Sequence, residues 1–362
     1  MPAPLSDGTP IGLRAIGWSI PPARRTAAEL AAHHGLPLDA VHRLGLVEQP
    51  VAGDGDHPST LGAAATRHAL AAAGLALADL DLLIFAGVTR DWPAPWVAAF
   101  GVLHELGATR TAGFDLNTRC AGSIDALWLA RALVASGTYR TVAVCCAERF
   151  DYLLGGSRRA ELPIDAAYSC GAATAIVTAG TGNDLAGFAN ITNPELAAHR
   201  AMGPVAGGSR QPLDPAALAD RLHQWRGQLS LDAAERIARY SADADRHNYA
   251  ALRAQTGFTE IDFVACSPLI PEPQLAVLEE LGVPRARTLA TIPYLGHIGP
   301  ADLLLVLGIA IATGRSIGQR IVLSTRTPVY SNALAIRAAA AGHGIAAGGS
   351  GIDLAHWEAP RC

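Results

Sequence analysis

Strands alternating with helices in two passes of the same order predict an α/β protein of two equivalent halves, its two mixed sheets sandwiched by layers of helix. Three observations carry this reading. Short apolar runs such as Asp81–Gly87 (DLLIFAG), Thr141–Ala147 (TVAVCCA) and Gly171–Thr178 (GAATAIVT) are separated by Ala/Leu-rich stretches with helical spacing. From about residue 180 the same order returns. The spacing returns with it: Asp81 precedes Val142 by 61 positions and Asp262 precedes Ile321 by 59, with ASGTYRTVAV echoed by ATGRSIGQRIVL. The expected halves are residues 1–180 and 181–340, and the Gly/Ala-rich segment 341–362 is expected to be a flexible tail.

Along the first half, Ile11–Ile20 reads as a strand closed by Pro21-Pro22, followed by helices at Ala27–His34 and around Leu38–Leu44. Ser59 or Thr60 is expected to cap a helix running to Ala73, ahead of the Asp81–Gly87 strand. Trp96–Leu106 is then helical, Gly107 ends it, and Thr111–Leu116 reads as a short buried strand. The apolar positions Ile124, Leu127, Trp128, Leu129 and Leu133 make the next stretch, to Gly137, a helix. In the second half the spacing predicts helix Ala233–Arg253, strand Ile261–Cys266, helix Pro273–Leu281 and a short strand near Thr288–Ile292. Helix Ala301–Thr313 and strands Arg320–Thr325 and Asn332–Arg337 complete the pass.

Composition narrows the chemistry. The chain has 362 residues, half of them hydrophobic, enough to bury a large core. No apolar run approaches the roughly 20 residues that span a bilayer, and the N-terminus lacks the basic and apolar segments of a leader, so the expectation is a cytoplasmic protein without membrane contact. A net charge of −4 gives no reason to expect nucleic acid. All 28 basic residues are arginine, which excludes a Walker A lysine, Schiff-base chemistry and a lysine base. The six cysteines form no CxxC pair, which argues against a zinc site and against a disulfide framework. No metal or resident cofactor is expected.

Cys120 lies where the strand before it stops and the helix after it begins, in Asp115-Leu-Asn-Thr-Arg-Cys120-Ala-Gly-Ser-Ile-Asp125. Unpaired amides and the positive end of the helix dipole favour an anion there by roughly 0.3–1 kcal/mol. The thiolate is the nucleophilic form of cysteine, so this placement suits a nucleophile, whereas Cys145, Cys146, Cys170 and Cys266 fall on or beside core strands.

The duplicated architecture, FDLNTRCAGSIDAL and the later YSCGAATAIV segment resemble the ketoacyl synthase III branch of the thiolase fold over roughly Ile11 to Arg337. That resemblance implies a duplicated five-layer αβαβα sandwich with a site where the halves meet at Cys120. Decarboxylating members of the branch complete the cysteine with a histidine and an asparagine. Here the histidine position corresponds to Ser267, give or take one, and the asparagine position to His297 in Tyr294-Leu-Gly-His297-Ile-Gly-Pro-Ala-Asp302. His297 and Asp302 match the G-H-x-G-x-x-D loop of a similar subgroup, the ketoacyl-synthase-III-like acyltransferases and starter-unit enzymes of antibiotic pathways. In such a set Cys120 attacks a thioester, His297 moves a proton and Asp302 orients the imidazole.

The resemblance implies further roles. His199, between the halves where relatives build the acyl pocket, is a candidate to bind the acceptor or to support the Cys120–His297–Asp302 set. The family's adenine-stacking tryptophan falls near Asp39, although Arg43 matches its basic neighbour, so an acyl carrier protein is favoured over coenzyme A as donor. Arg43, with Arg158, Arg159 and Arg210, is a candidate for its phosphopantetheine and acidic surface. Trp92-Pro93 sits where relatives pass a loop into the partner's pocket, implying a homodimer. The glycine-rich oxyanion stretch of relatives is here Arg326-Thr-Pro-Val-Tyr330, and a proline donates no N–H, which leaves the Cys120 amide as one assigned donor. The function expected is acyl transfer to a small-molecule hydroxyl or amine or to a second carrier protein. The alternatives are a decarboxylating starter-unit synthase and a catalytically silent docking protein, the last disfavoured by the intact Cys120, His297 and Asp302.

Overall fold

The computed structural model describes residues 8–151, 166–195, 231–266 and 271–358. The first half opens with β1 (Ile11–Ser19), then β2 (Arg24–Thr26), α1 (Ala27–His34), α2 (Leu38–Arg43) and β3 (Glu48–Pro50). It continues through α3 (Pro58–Ala73), β4 (Leu82–Phe85), α4 (Ala98–Leu106), β5 (Ala112–Asp115), α5 (Gly122–Ala135), β6 (Thr141–Arg149) and β7 (Cys170–Ala179). The second half contains β8 (Asn183–Thr192), α6 (Leu231–Thr256), β9 (Phe263–Cys266), α7 (Pro271–Glu280), α8 (Ile292–Leu295), α9 (Ala301–Ala312), β10 (Arg320–Arg326) and β11 (Tyr330–Ala338). A last strand, β12 (Ala346–Ser350), follows.

The strands form a sheet ordered β12-β1-β7-β6-β4-β5 and a second ordered β8-β11-β10-β9, with β2 and β3 paired apart. The halves repeat the same pairing: β4 and β6 run parallel as do β9 and β10, and β6–β7 and β10–β11 are antiparallel. Helices α3 and α4 cover the outer face of the first sheet, α6 and α7 that of the second, and α5 and α9 fill the space between. This is the five-layer αβαβα arrangement of the thiolase fold. Nearly all of α9 is apolar and buried, because it touches a sheet on each side. Asp302 is the exception, and it stands in the first turn of that central helix.

A repeated device sets the register. Asp81 Oδ2 accepts the amides of Arg140 (2.8 Å) and Thr141 (3.1 Å), aligning Leu82 with Val142. Asp262 Oδ2 accepts those of Gln319 (3.0 Å) and Arg320 (2.9 Å), aligning Phe263 with Ile321. The near-equal spacings in the sequence are therefore the lengths of two equivalent crossovers, each closed by an aspartate. The Arg320 guanidinium beside Asp262 lowers its carboxyl to about 2 from 3.8. Asp262→Ala is expected to lower stability by about 1–3 kcal/mol through these charged hydrogen bonds. Because the folded pKa is depressed, the contribution is present above pH 3.8 and fades as pH falls through about 2. Urea unfolding of wild type and variant at neutral and acid pH checks both statements.

Four expectations are corrected. Strand β5 is not buried: it is the outer strand of its sheet, and Ala112 and Phe114 are exposed. The Thr288–Ile292 strand is replaced by a 3-10 turn at Arg285–Arg287 and the short α8. Helix α3 begins at Pro58 with His57 at the cap; Thr60 accepts the His57 amide at 2.9 Å, while the Ser59 hydroxyl is held by Asp91. The segment after Ala338 is not a free tail as far as residue 358. Its strand β12 runs parallel to β1, and Trp357 is buried with its indole N–H on Ala290 O at 2.8 Å. The glycines that suggested flexibility allow close packing instead, since a Cβ at Gly349 would stand 2.3 Å from Trp18 O.

Candidate active site

From the end of β5 the chain turns through Asn117–Arg119 and enters a single 3-10 turn, Arg119–Ala121, that runs straight into α5. Cys120 lies in that turn. Arg119 has φ of 59°, the only non-glycine residue of the described chain in the left-handed region, a conformation that costs about 1–3 kcal/mol and needs support around it. Gly122 lets α5 start hard against the end of β4, because a Cβ there would meet Ala86 O at 2.6 Å. The turn and the close approach together aim the Cys120 side chain at the other half.

His297 comes from the loop between α8 and α9. Its amide donates to Ala167 O at 2.6 Å and its carbonyl accepts from Ser169 N at 3.0 Å, so its backbone is stitched to the segment entering β7. Phe150 stacks on the imidazole at a centroid distance of 6.3 Å and Tyr168 meets it edge-on at 5.2 Å. The chain reverses at Gly299-Pro300, where Asp302 N donates to Gly299 O at 3.2 Å. Asp302 Oδ2 then lies 2.6 Å from His297 Nδ1, while Oδ1 accepts the Ile298 amide at 2.7 Å. His297 Nε2 is 3.4 Å from Cys120 Sγ. The structure thus brings Cys120, His297 and Asp302 into one line, a geometry that can serve as nucleophile, proton-transfer group and orienting acid.

His297 and Asp302 are 3% and 1% exposed, so water screens neither. Burial pulls the imidazole toward its neutral form, but the Asp302 carboxylate and the Cys120 sulfur outweigh it, and His297 is pushed up to about 10 from 6.5. Both ring nitrogens have a partner, Nδ1 at the Asp302 carboxylate and Nε2 at the Cys120 sulfur. A raised folded-state pKa stabilises the fold fully below pH 6.5 and loses that contribution as pH rises through about 10. Stability is expected to decline across that window, and Asp302→Asn to flatten the decline; urea unfolding over the same pH range measures it.

The other described cysteines differ. Cys145, Cys146, Cys170 and Cys266 are buried, and burial pushes Cys145 and Cys266 to about 11 and Cys170 to about 12, while Cys120 is part-exposed. Among the described cysteines, brief treatment of the native protein with iodoacetamide is therefore expected to label Cys120 alone, as read by peptide mass spectrometry. Labelling of Cys145 or Cys266 before Cys120 contradicts this.

Arg43 lies on the exposed face of α2, paired with Asp39 of the preceding turn at 2.5 Å. Trp92 is 67% exposed in the loop between β4 and α4. Neither joins the Cys120 cluster in this chain. His199 and Ser267, with Arg158, Arg159 and Arg210, lie outside the described residues. At the Arg326–Tyr330 stretch, the Thr327 amide donates to Tyr330 O at 2.6 Å and the Tyr330 amide to Thr327 Oγ1 at 3.0 Å, so both amides are engaged within their own turn.

Two carboxylates near the site were not singled out in the sequence. Glu148, at the end of β6, is fully buried and accepts the amides of Val88 and Thr89 and the Thr89 hydroxyl, the last at 2.6 Å. Burial raises it to about 7 against those donors. Asp125 stands five positions after Cys120 and accepts from Thr118, Tyr330 and Asn332. An acid in the first turn of the mostly apolar helix after Cys120 was its only sequence signal.

Comparison with known proteins agrees with this architecture. Residues 114–194 match the family model for 3-oxoacyl-[acyl-carrier-protein (ACP)] synthase III. The β-ketoacyl-[acyl-carrier-protein] synthase III of Brucella canis is 28% identical over 280 residues, covering 76% of this chain and 82% of that protein. The crystal structure of 3-oxoacyl-(acyl carrier protein) synthase III from Pseudomonas aeruginosa PAO1 superposes with a TM-score of 0.73 at 20% identity, covering 91% of this chain and 98% of that one. Xanthomonas campestris OleA superposes with a TM-score of 0.72 at 17% identity, covering 91% and 96%. Sequence supports the ketoacyl synthase III family, and structure the thiolase fold.

Proposed function

We propose that this chain, a relative of the ketoacyl synthases III, is an acyltransferase that moves an acyl group through a Cys120 thioester without decarboxylation. The donor is a thioester of an acyl carrier protein or coenzyme A, and the acceptor a hydroxyl, an amine or the thiol of a second carrier protein. The observation that carries the reading is the line from Cys120 Sγ to His297 Nε2 (3.4 Å) and from His297 Nδ1 to Asp302 (2.6 Å).

In the first half-reaction Cys120 gives its thiol proton to His297 Nε2 and attacks the donor carbonyl as thiolate. The donor's carbon–sulfur bond breaks, and the departing thiolate takes the Nε2 proton of His297. The imidazole is then neutral. In the second half-reaction it takes the proton of the acceptor O–H, N–H or S–H as that atom attacks the acyl carbon, and Cys120 leaves as thiolate beside a reprotonated ring. Asp302 holds the tautomer with Nε2 toward the sulfur and offsets the ring's charge. No carbon–carbon bond and no carbon dioxide are formed.

Relatives' names support a carrier protein as donor, and the G-H-x-G-x-x-D loop, Gly296 to Asp302, supports a role in specialised metabolism such as polyketide or antibiotic assembly. His199 and Ser267 are proposed to line the substrate pocket and Arg43 to meet the donor. A homodimer is supported by the outer edge of β5, which pairs with no further strand among the described residues, and by the exposed Phe100, Phe114 and Trp92. A cytoplasmic location fits the absence of any helix, among the described residues, long and apolar enough to cross a membrane.

A second reading, decarboxylating condensation, is favoured by the names of the relatives. It needs donors placed around an enolate oxygen, and a histidine engaged by Asp302 is better suited to proton transfer. Acyl-loaded enzyme is offered carboxyl-labelled malonyl-carrier protein beside hydroxyl and amine acceptors. Ester or amide without labelled carbon dioxide is expected; Cys120-dependent carbon dioxide with a β-ketoacyl product establishes the condensing enzyme instead.

A further inference from the structure

The Cys120 turn is gripped on both sides by one hydrogen-bonded cluster. Before the cysteine, Thr118 Oγ1 donates to Asp125 Oδ2 at 2.5 Å. After it, Asn332 Nδ2 reaches Ala121 O at 3.0 Å and Asp125 Oδ1 at 2.9 Å. Tyr330 OH donates to the same Oδ1 at 2.7 Å and is itself approached by Asn190 Nδ2 at 3.0 Å. Asn332 is completely buried, and Tyr330 and Asn332 belong to β11 of the second half, whereas Thr118 and Asp125 belong to the first. The carboxylate forms no ion pair among the described residues: Thr118, Tyr330 and Asn332, which donate to it, are all neutral. Burial raises its pKa and those donors oppose the rise.

We infer that Asp125 is a positioning residue that sets Cys120 against His297 by tying the first turn of α5 to strand β11 of the opposite half. The inference rests on the proposed acyl-cysteine chemistry. His297 reaches the site from the second half and Cys120 from the first, so their 3.4 Å separation depends on how the halves are aligned at this turn. Thr118 and Ala121 bracket Cys120, and fixing both while Arg119 holds a left-handed conformation leaves the sulfur little freedom to swing. A misplacement of about 1 Å between reacting groups costs on the order of 10²-fold in rate. An amide in place of the carboxylate keeps the shape but turns an N–H₂ toward donors, so part of the cluster must open.

The test is single-turnover acylation of the full chain by an acyl thioester, followed by intact mass. Asp125→Asn is expected to slow acylation by about 10- to 100-fold, with KM for the thioester within about threefold of wild type. Tyr330→Phe, which removes one of the three donors, is expected to cost less than Asp125→Asn. In a His297→Ala background Asp125→Asn is expected to cost almost nothing further, because the alignment it protects no longer matters. A merely structural role would persist in that background. If Asp125→Asn does not fold, Tyr330→Phe is read by the same two criteria. Wild-type acylation rates in the variant, or an equal loss with and without His297, overturn the inference. Wild-type protein that takes up no acyl group overturns the reading beneath it instead.

Discussion

The Cys120→Ala protein is expected to gain no acyl mass on incubation with any thioester that loads the wild type, and to transfer acyl groups slower by about 10⁴ to 10⁶. The expectation rests on position and competition. Cys120 stands 3.4 Å from His297 Nε2, whereas the other four described cysteines are enclosed in sheet strands, where burial raises their pKa and disfavours the thiolate. Removal of the sulfur leaves His297 and Asp302 in place, so the fold should persist and the loss be one of chemistry. Intact-mass analysis of both proteins decides it: an adduct on Cys120→Ala places the nucleophile elsewhere.

His297→Ala is expected to lower turnover by about 10² to 10⁴, the range for a general acid–base group. Asp302→Asn is expected to fall within the same range by a different route. Its side chain can no longer accept from both His297 Nδ1 and the Ile298 amide with full negative charge, and the ring loses the partner that raises its pKa. The two variants should therefore differ in pH dependence. The rate of Asp302→Asn should vary across the neutral range as its histidine titrates nearer 6.5, while that of His297→Ala should show no histidine titration. Wild-type rates in both variants would move the base to another residue, with His199 the next to be replaced.

Local chemistry was legible in the sequence wherever neighbouring residues decide it. The helix start after Cys120, the chain reversal at Gly299-Pro300 and the acid in the first turn of α9 are all short-range features, and they place the three central side chains. The repeat was legible because Asp81 and Asp262 close equivalent crossovers of similar length. What depends on distant partners was not. The short strand β5 looks internal by its residue types, yet only the sheet order makes it an edge. Strand β12 is built from alanine and glycine and has no periodic signature; it is a strand because β1 offers it a ladder. The Asp125–Asn332 contact joins residues 207 positions apart, and nothing along the chain announces such a pair.

The central claim, acyl transfer by way of a Cys120 thioester, is tested most directly by rapid-quench kinetics of the wild-type chain with an acyl thioester, with and without acceptor. Without acceptor, one equivalent of free thiol should be released for each equivalent of acyl-Cys120 formed. On addition of acceptor, that adduct should disappear at a rate no slower than overall turnover, with the whole acyl group appearing in the ester, amide or new thioester. Turnover that outruns the decay of acyl-Cys120, or product that forms while no acyl-Cys120 accumulates or decays, contradicts the account.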